Sequence, residues 1–183
     1  MKRISVSTGI ATLLLSFLAS NAYAAPGVTD PAVLKDLAAL RQATVKYHDV
    51  NEALADGFIR TPRCVEVPGL GGMGIHFINP ARLRNPAVKL LEPEILLYAE
   101  TEDGMKLLAV EYFFGIGPPD APVPDPAPPA PVLFARPFNG PMLGHDPGMP
   151  PHYDLHVWLW KANPAGMFMP FNPKVSCPEP EAH

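Results

Sequence analysis

The stretch Pro151-His152-Tyr153-Asp154-Leu155-His156-Val157-Trp158-Leu159-Trp160 alternates along its whole length. A β-strand sends successive side chains to opposite faces. One face of this strand would carry His152, Asp154, His156, Trp158 and Trp160; the other would carry Tyr153, Leu155, Val157 and Leu159. The second set is a core face. The first gathers histidines, a carboxylate and the two tryptophans on one side of a strand, which makes it the leading candidate for a site.

Upstream, residues 93–100 and 106–114 read as two strands of a hairpin, with Glu102-Asp103-Gly104 supplying the turn. The second of these, Leu107-Leu108-Ala109-Val110-Glu111-Tyr112-Phe113-Phe114, is apolar except for Glu111. A buried carboxylate must be paired, bound to a metal or protonated. Glu111 is therefore either a site residue or the partner of an arginine such as Arg82 or Arg84. Glu94, opening the partner strand, is a lesser candidate. A further short strand, residues 74–79, carries His76 on one face with Gly74 and Ile78. It follows the glycine-rich Gly69-Leu70-Gly71-Gly72-Met73-Gly74. These glycines lack the spacing of a dinucleotide fingerprint and instead suit close backbone approach or positive φ. Residues 60–70 read as a loop leading into the sheet.

Ahead of the strands, apolar residues from Leu34 to Phe58 recur at spacings of three and four. Thr29 or Asp30 can serve as N-cap, Pro31 suits the first turn and Gly57 can end the helix. The pattern predicts one long helix, with a break available at His48-Asp49. His48 reads as a surface or half-buried helix histidine. Residues 118–131 are rich in proline and alanine and predict an extended surface loop. Residues 132–138 read as a short edge strand, and 139–150 as a turn-rich loop. The expected fold class is α+β, a long N-terminal helix packed on a mostly antiparallel sheet of four to six short strands.

Residues 1–24 carry the marks of a secretory signal peptide: Lys2 and Arg3, an apolar run, then Ala22-Tyr23-Ala24. The apolar run is too short to span a bilayer comfortably. Residues 25–183 are long enough for a single domain with a sizeable core. Without Lys2 and Arg3, 12 basic residues face 18 acidic ones, a net charge of −6. No basic patch is visible, which argues against nucleic-acid binding. The expected location is secreted or periplasmic, with no membrane span. Cys64 and Cys177 are the only cysteines. In an oxidising compartment a lone pair reads as a disulfide, the alternative being two buried thiols.

Histidine with carboxylate is a ligand set for copper, zinc or iron. The candidate metal ligands are His76, Glu111, His152 and His156. Asp154 would orient them from behind, and His145 would cover them from the loop. Trp158, Trp160 and Tyr153 would wall a pocket for a small-molecule ligand. Met73, Met142 and Met149 each precede a histidine by three residues (His76, His145 and His152). Thioether with imidazole suits copper, although methionine also fills irregular gaps in cores. Ser176 is the only serine after the leader and no Gly-x-Ser-x-Gly occurs, which argues against a serine hydrolase. Two further readings stay open. In one, the histidines and Glu111 form a buried hydrogen-bond network in a non-enzymatic structural or binding module. In the other, an Asp–His pair acts as a metal-free base.

Several segments together resemble a family of exported bacterial proteins that has no assigned activity. They are the Gly71-Gly72-Met73-Gly74-Ile75-His76-Phe77-Ile78-Asn79 run, Val110-Glu111-Tyr112, Gly140-Pro141-Met142, the Pro151–Trp158 motif and Asn163-Pro164-Ala165-Gly166-Met167-Phe168 with Asn172-Pro173, together with Cys64 and Cys177. The resemblance implies export and carries no chemistry with it.

Overall fold

A computed structural model describes residues 28–178. The signal peptide expected at 1–24 and the last residues of the tail lie outside the described residues. Asp30 caps helix α1 (Pro31–Thr44), its side chain accepting from the Ala32 amide, and Pro31 occupies the first turn. Val33, Leu37, Leu40 and Thr44 form the buried stripe. The chain then tightens into a 3₁₀ turn (Val45–His48) and restarts as α2 (Val50–Ala55), capped by Asp49. The break falls at the expected place. It leaves three short helical pieces where one long helix was expected, because Asp49 caps a new helix better than it continues an old one.

Six strands form one sheet: β1 (Ile59–Val67), β2 (Gly71–Ile78), β3 (Ile95–Thr101), β4 (Gly104–Gly115), β7 (Asn139–Met142) and β8 (His152–Val157). Their order is β1-β2-β3-β4-β8-β7, and every pairing is antiparallel. A four-residue helix, α3 (Pro80–Leu83), follows β2, and a separate two-stranded ribbon joins β5 (Val132–Leu133) to β6 (Arg136–Pro137). The fold is thus α+β with an antiparallel sheet, as expected, with three corrections.

The segment read as a loop after the helix is edge strand β1. It carries Pro62 and charged residues, which hide any alternation. An edge strand tolerates both, and the register shift between Arg60 and Cys64 absorbs them. The turn-rich loop after residue 138 begins with the opposite edge strand, β7. The edge strand expected at 132–138 is instead the small β5–β6 ribbon.

One face of the sheet packs on the helices. There Ile75, Phe77, Leu96, Tyr98, Val110, Tyr112, Tyr153, Leu155 and Val157 meet Leu37, Leu40, Tyr47 and Phe58. The Tyr98 hydroxyl donates to the Tyr47 carbonyl at 2.7 Å, tying helix to sheet from inside the core. The other face has a smaller apolar cluster of Ile95, Leu97, Leu108, Ala109, Trp158 and Val175. The C-terminal segment crosses back to β2, where Gly72 bridges Asn172. Gly71 has φ 92°, and a Cβ there would lie 2.2 Å from the Asn172 carbonyl oxygen, so this crossing needs glycine. Cys64 and Cys177 are joined as a disulfide, with Cα atoms 5.6 Å apart, which pins the chain's end to β1. No helix among the described residues is long and apolar enough to cross a membrane.

Candidate metal centre

Register decides which side chains meet. Glu111 on β4 is directly opposite His156 on β8, so both project from the face away from the helices. His76 on β2 is opposite Leu97, which in turn is opposite Ala109. His76 therefore stands on the same face, one row along from Glu111, with β3 between. Its Nε2 comes within 3.3 Å of Glu111 Oε2, and His156 Nε2 lies 3.5 Å from the same oxygen. One potential ligand atom from each of the three residues lies within 4.8 Å of the other two.

Glu111 and His156 are buried, His76 half-buried, and the polar atoms of the buried pair are not satisfied. His156 is 1% exposed, and neither of its ring nitrogens has a hydrogen-bond partner; Glu111 Oε2 has none either. His76 Nε2 is close to that oxygen but out of hydrogen-bond alignment. Such atoms are rare in native interiors, because each carries its full desolvation cost. The separations are informative too. A charge-assisted N–H···O bond closes to about 2.7–2.9 Å. Two ligand atoms bound tetrahedrally at about 2.0–2.2 Å from one ion stand roughly 3.3–3.5 Å apart. The observed distances match the second spacing.

Burial pushes the Glu111 carboxyl up. Neighbouring His156, then His76 and more distantly His152, outweigh it and hold the group down at about 2. Glu111 is therefore held as an anion, and it meets histidines, not the arginines considered above. Arg82 instead donates to the Pro93 carbonyl and the Tyr47 hydroxyl.

The remaining candidates fall around the trio. Asp154, next along β8, is buried and accepts from Asn139 Nδ2 at 3.2 Å. Its Oδ1 stands 3.9 Å from His156 Nδ1, beside the trio but outside hydrogen-bond reach. Burial raises the Asp154 carboxyl, His156 opposing. His152 shares the face but is outside the trio: its Nδ1 lies 2.9 Å from the Pro150 carbonyl and its ring stacks on Phe113. His145, on the loop after β7, has its ring 5.4 Å from that of His152.

Trp158 is buried on the histidine face, its indole N–H donating to the Met169 carbonyl. Trp160 is not there, contrary to the alternation. β8 stops at Val157, the backbone turns so that Trp160 N–H donates to the Leu108 carbonyl, and the ring packs on the helix side against His48 and under Arg41. Tyr153 is also on the helix side, within the main core, its hydroxyl donating to the Pro128 carbonyl. Neither Trp160 nor Tyr153 walls the histidine site.

Glu94 lies apart from the trio. It accepts from the Phe113 amide at 3.1 Å, and burial raises its carboxyl to about 7 against the pull of that amide. Sequence reasoning missed Asn139 and Phe113, which hold Asp154 and His152 in place; both are visible only once β7 and β4 flank β8. Comparison with protein-family models, with characterised proteins and with solved structures finds no match.

Proposed function

We propose that this is an exported protein that binds a divalent transition metal through His76, Glu111 and His156. The observation that carries the reading is that His76 and the buried His156 each bring a ring nitrogen to the unsatisfied Glu111 Oε2, at 3.3 and 3.5 Å, a spacing that ligands of one ion adopt. Two imidazoles and one carboxylate form a set used for zinc and for ferrous iron, and it contains no sulfur to favour softer ions. Three protein ligands leave coordination positions open. That distinguishes sites that can activate a water or bind a substrate from closed structural zinc sites. His76 is the least buried of the three and marks the side from which an outside ligand would approach. Asp154 Oδ1, 3.9 Å from His156 Nδ1, would steer that ring only by moving into hydrogen-bond reach.

The test is elemental analysis of protein purified without a histidine tag, before and after reconstitution with zinc or with ferrous iron under anaerobic conditions. About one equivalent, lost in Glu111→Gln, is expected. No metal at purification and none taken up on reconstitution would reject the reading, leaving a buried polar network as the role of these residues.

A further inference from the structure

Beside the inner trio, on the same side of the sheet, stand His152, which is buried, and His145, which is exposed on the loop beyond it. His152 has the features of a prepared ligand. Its Nδ1 faces the Pro150 carbonyl at 2.9 Å, which makes Nδ1 the protonated nitrogen and leaves the Nε2 lone pair free. Phe113, stacked at 4.4 Å with the planes 22° apart, fixes the ring. His145 brings a second imidazole to a 5.4 Å ring separation.

A third donor comes from the β7–β8 ladder. Asn139 pairs with Asp154 and Met142 with His152, three steps on one strand against two on the other. Without the extra residue, Met142 would face away. With it, Met142 is the register partner of His152, which places it on the same face of the sheet. The loop that bears His145 is held by the Gly148 amide donating to Asp120 Oδ1 and by an ion pair between Arg63 and Asp146.

We propose a second, outer metal site on His145, His152 and Met142, selective for monovalent copper. Two imidazoles and a thioether form a soft donor set with no anion, which suits Cu(I) better than zinc or iron. The pairing of methionine with histidine seen in the sequence thus has a specific use at one of its three occurrences. The site shares no residue with the inner trio and does not depend on it. Asp154 lies between the two on β8.

The test is anaerobic competition for Cu(I) against bicinchoninate, on the intact protein and on Met142→Leu and His145→Gln. Both substitutions are at an edge strand or loop, and near-ultraviolet circular dichroism confirms that the variants keep their tertiary structure. Each variant should weaken Cu(I) binding at least tenfold while leaving zinc stoichiometry at the inner trio unchanged. X-ray absorption of the Cu(I) form should show a sulfur neighbour that disappears in Met142→Leu. Wild-type Cu(I) affinity in Met142→Leu, or a spectrum fitted by nitrogen and oxygen alone, would overturn the proposal. Cu(I) binding that falls in Glu111→Gln but not in Met142→Leu would overturn it too, since the ion would then occupy the inner trio.

Discussion

Glu111→Gln removes the only anion from the inner trio while keeping the side chain's size. Loss of a residue that merely supports a ligand costs about 10–100-fold in metal affinity, so loss of the anionic ligand itself should cost at least about 100-fold. At a free zinc concentration 100 times the dissociation constant, binding stabilises the native protein by about 2.7 kcal/mol. For a chain near 150 residues, each kcal/mol moves Tm by roughly 2–4 °C, so zinc should raise the wild-type Tm by about 5–11 °C. In Glu111→Gln at the same zinc concentration the stabilisation falls to about 0.4 kcal/mol and the rise to about 1–2 °C. Differential scanning fluorimetry with and without zinc measures both. Each variant is compared with its own metal-free Tm, so any change in intrinsic stability cancels. An equal zinc shift in the two proteins would refute the assignment of Glu111 as a ligand, whatever the metal content proves to be.

Two of the three buried carboxylates, Glu111 and Glu94, should give the metal-free protein opposite pH dependences. Glu111 is held at about 2 against an ordinary 4.5. Its contribution is present above pH 4.5 and is lost as pH falls through 2, a loss of about 3 kcal/mol. Glu94 is raised from 4.5 to about 7. Stability is full below 4.5 and declines by about 3 kcal/mol as pH rises through 7. Urea midpoints should therefore peak near pH 4.5–5, and Glu94→Gln should exceed the wild type at pH 8; a less stable Glu94→Gln at that pH would contradict the burial argument. Gly74→Ala should lower stability by on the order of 3 kcal/mol, because φ is 95° and the new Cβ would stand 2.4 Å from the Tyr98 carbonyl oxygen. A Tm within 2 °C of wild type would show that β2 can shift instead. Reducing the Cys64–Cys177 bridge, which spans 113 residues, should cost up to about 5 kcal/mol by loop-closure entropy. Thermal melts of Cys64→Ser/Cys177→Ser against wild type measure it, and an unchanged Tm would assign the bridge no stabilising role.

What was legible in the sequence was periodic. The β3–β4 hairpin with its Gly104 turn, strand β8 and the helix break at Asp49 all follow from local patterns. Strands β1 and β7 were not legible, because edge strands need no alternation and both contain proline: Pro62 in β1, Pro141 in β7. At the site, Glu111 stood out as the lone charge in an apolar strand, and His156 as part of the alternating motif. Their direct opposition depends on the β4–β8 register, which no local pattern specifies. Trp160 was misplaced because alternation was extended past the strand's real end at Val157. His152 was grouped with His156 correctly by face, but four residues along β8 place it by Phe113 and His145 instead of by Glu111.

The three inner donors sit at positions 76, 111 and 156, on β2, β4 and β8, of which only β4 and β8 pair directly, β3 lying between β2 and β4. The last of them, β8, docks on β4 after an excursion of more than thirty residues that includes the proline-rich segment. Long-range pairing of this kind forms late and slowly. An unfolded or partly synthesised chain can offer at most isolated imidazoles and carboxylates, so the trio cannot capture an ion before the sheet is complete. On the proposed function, metal acquisition would be a checkpoint on maturation: the compartment in which β8 closes onto β4 would determine which ion the protein receives.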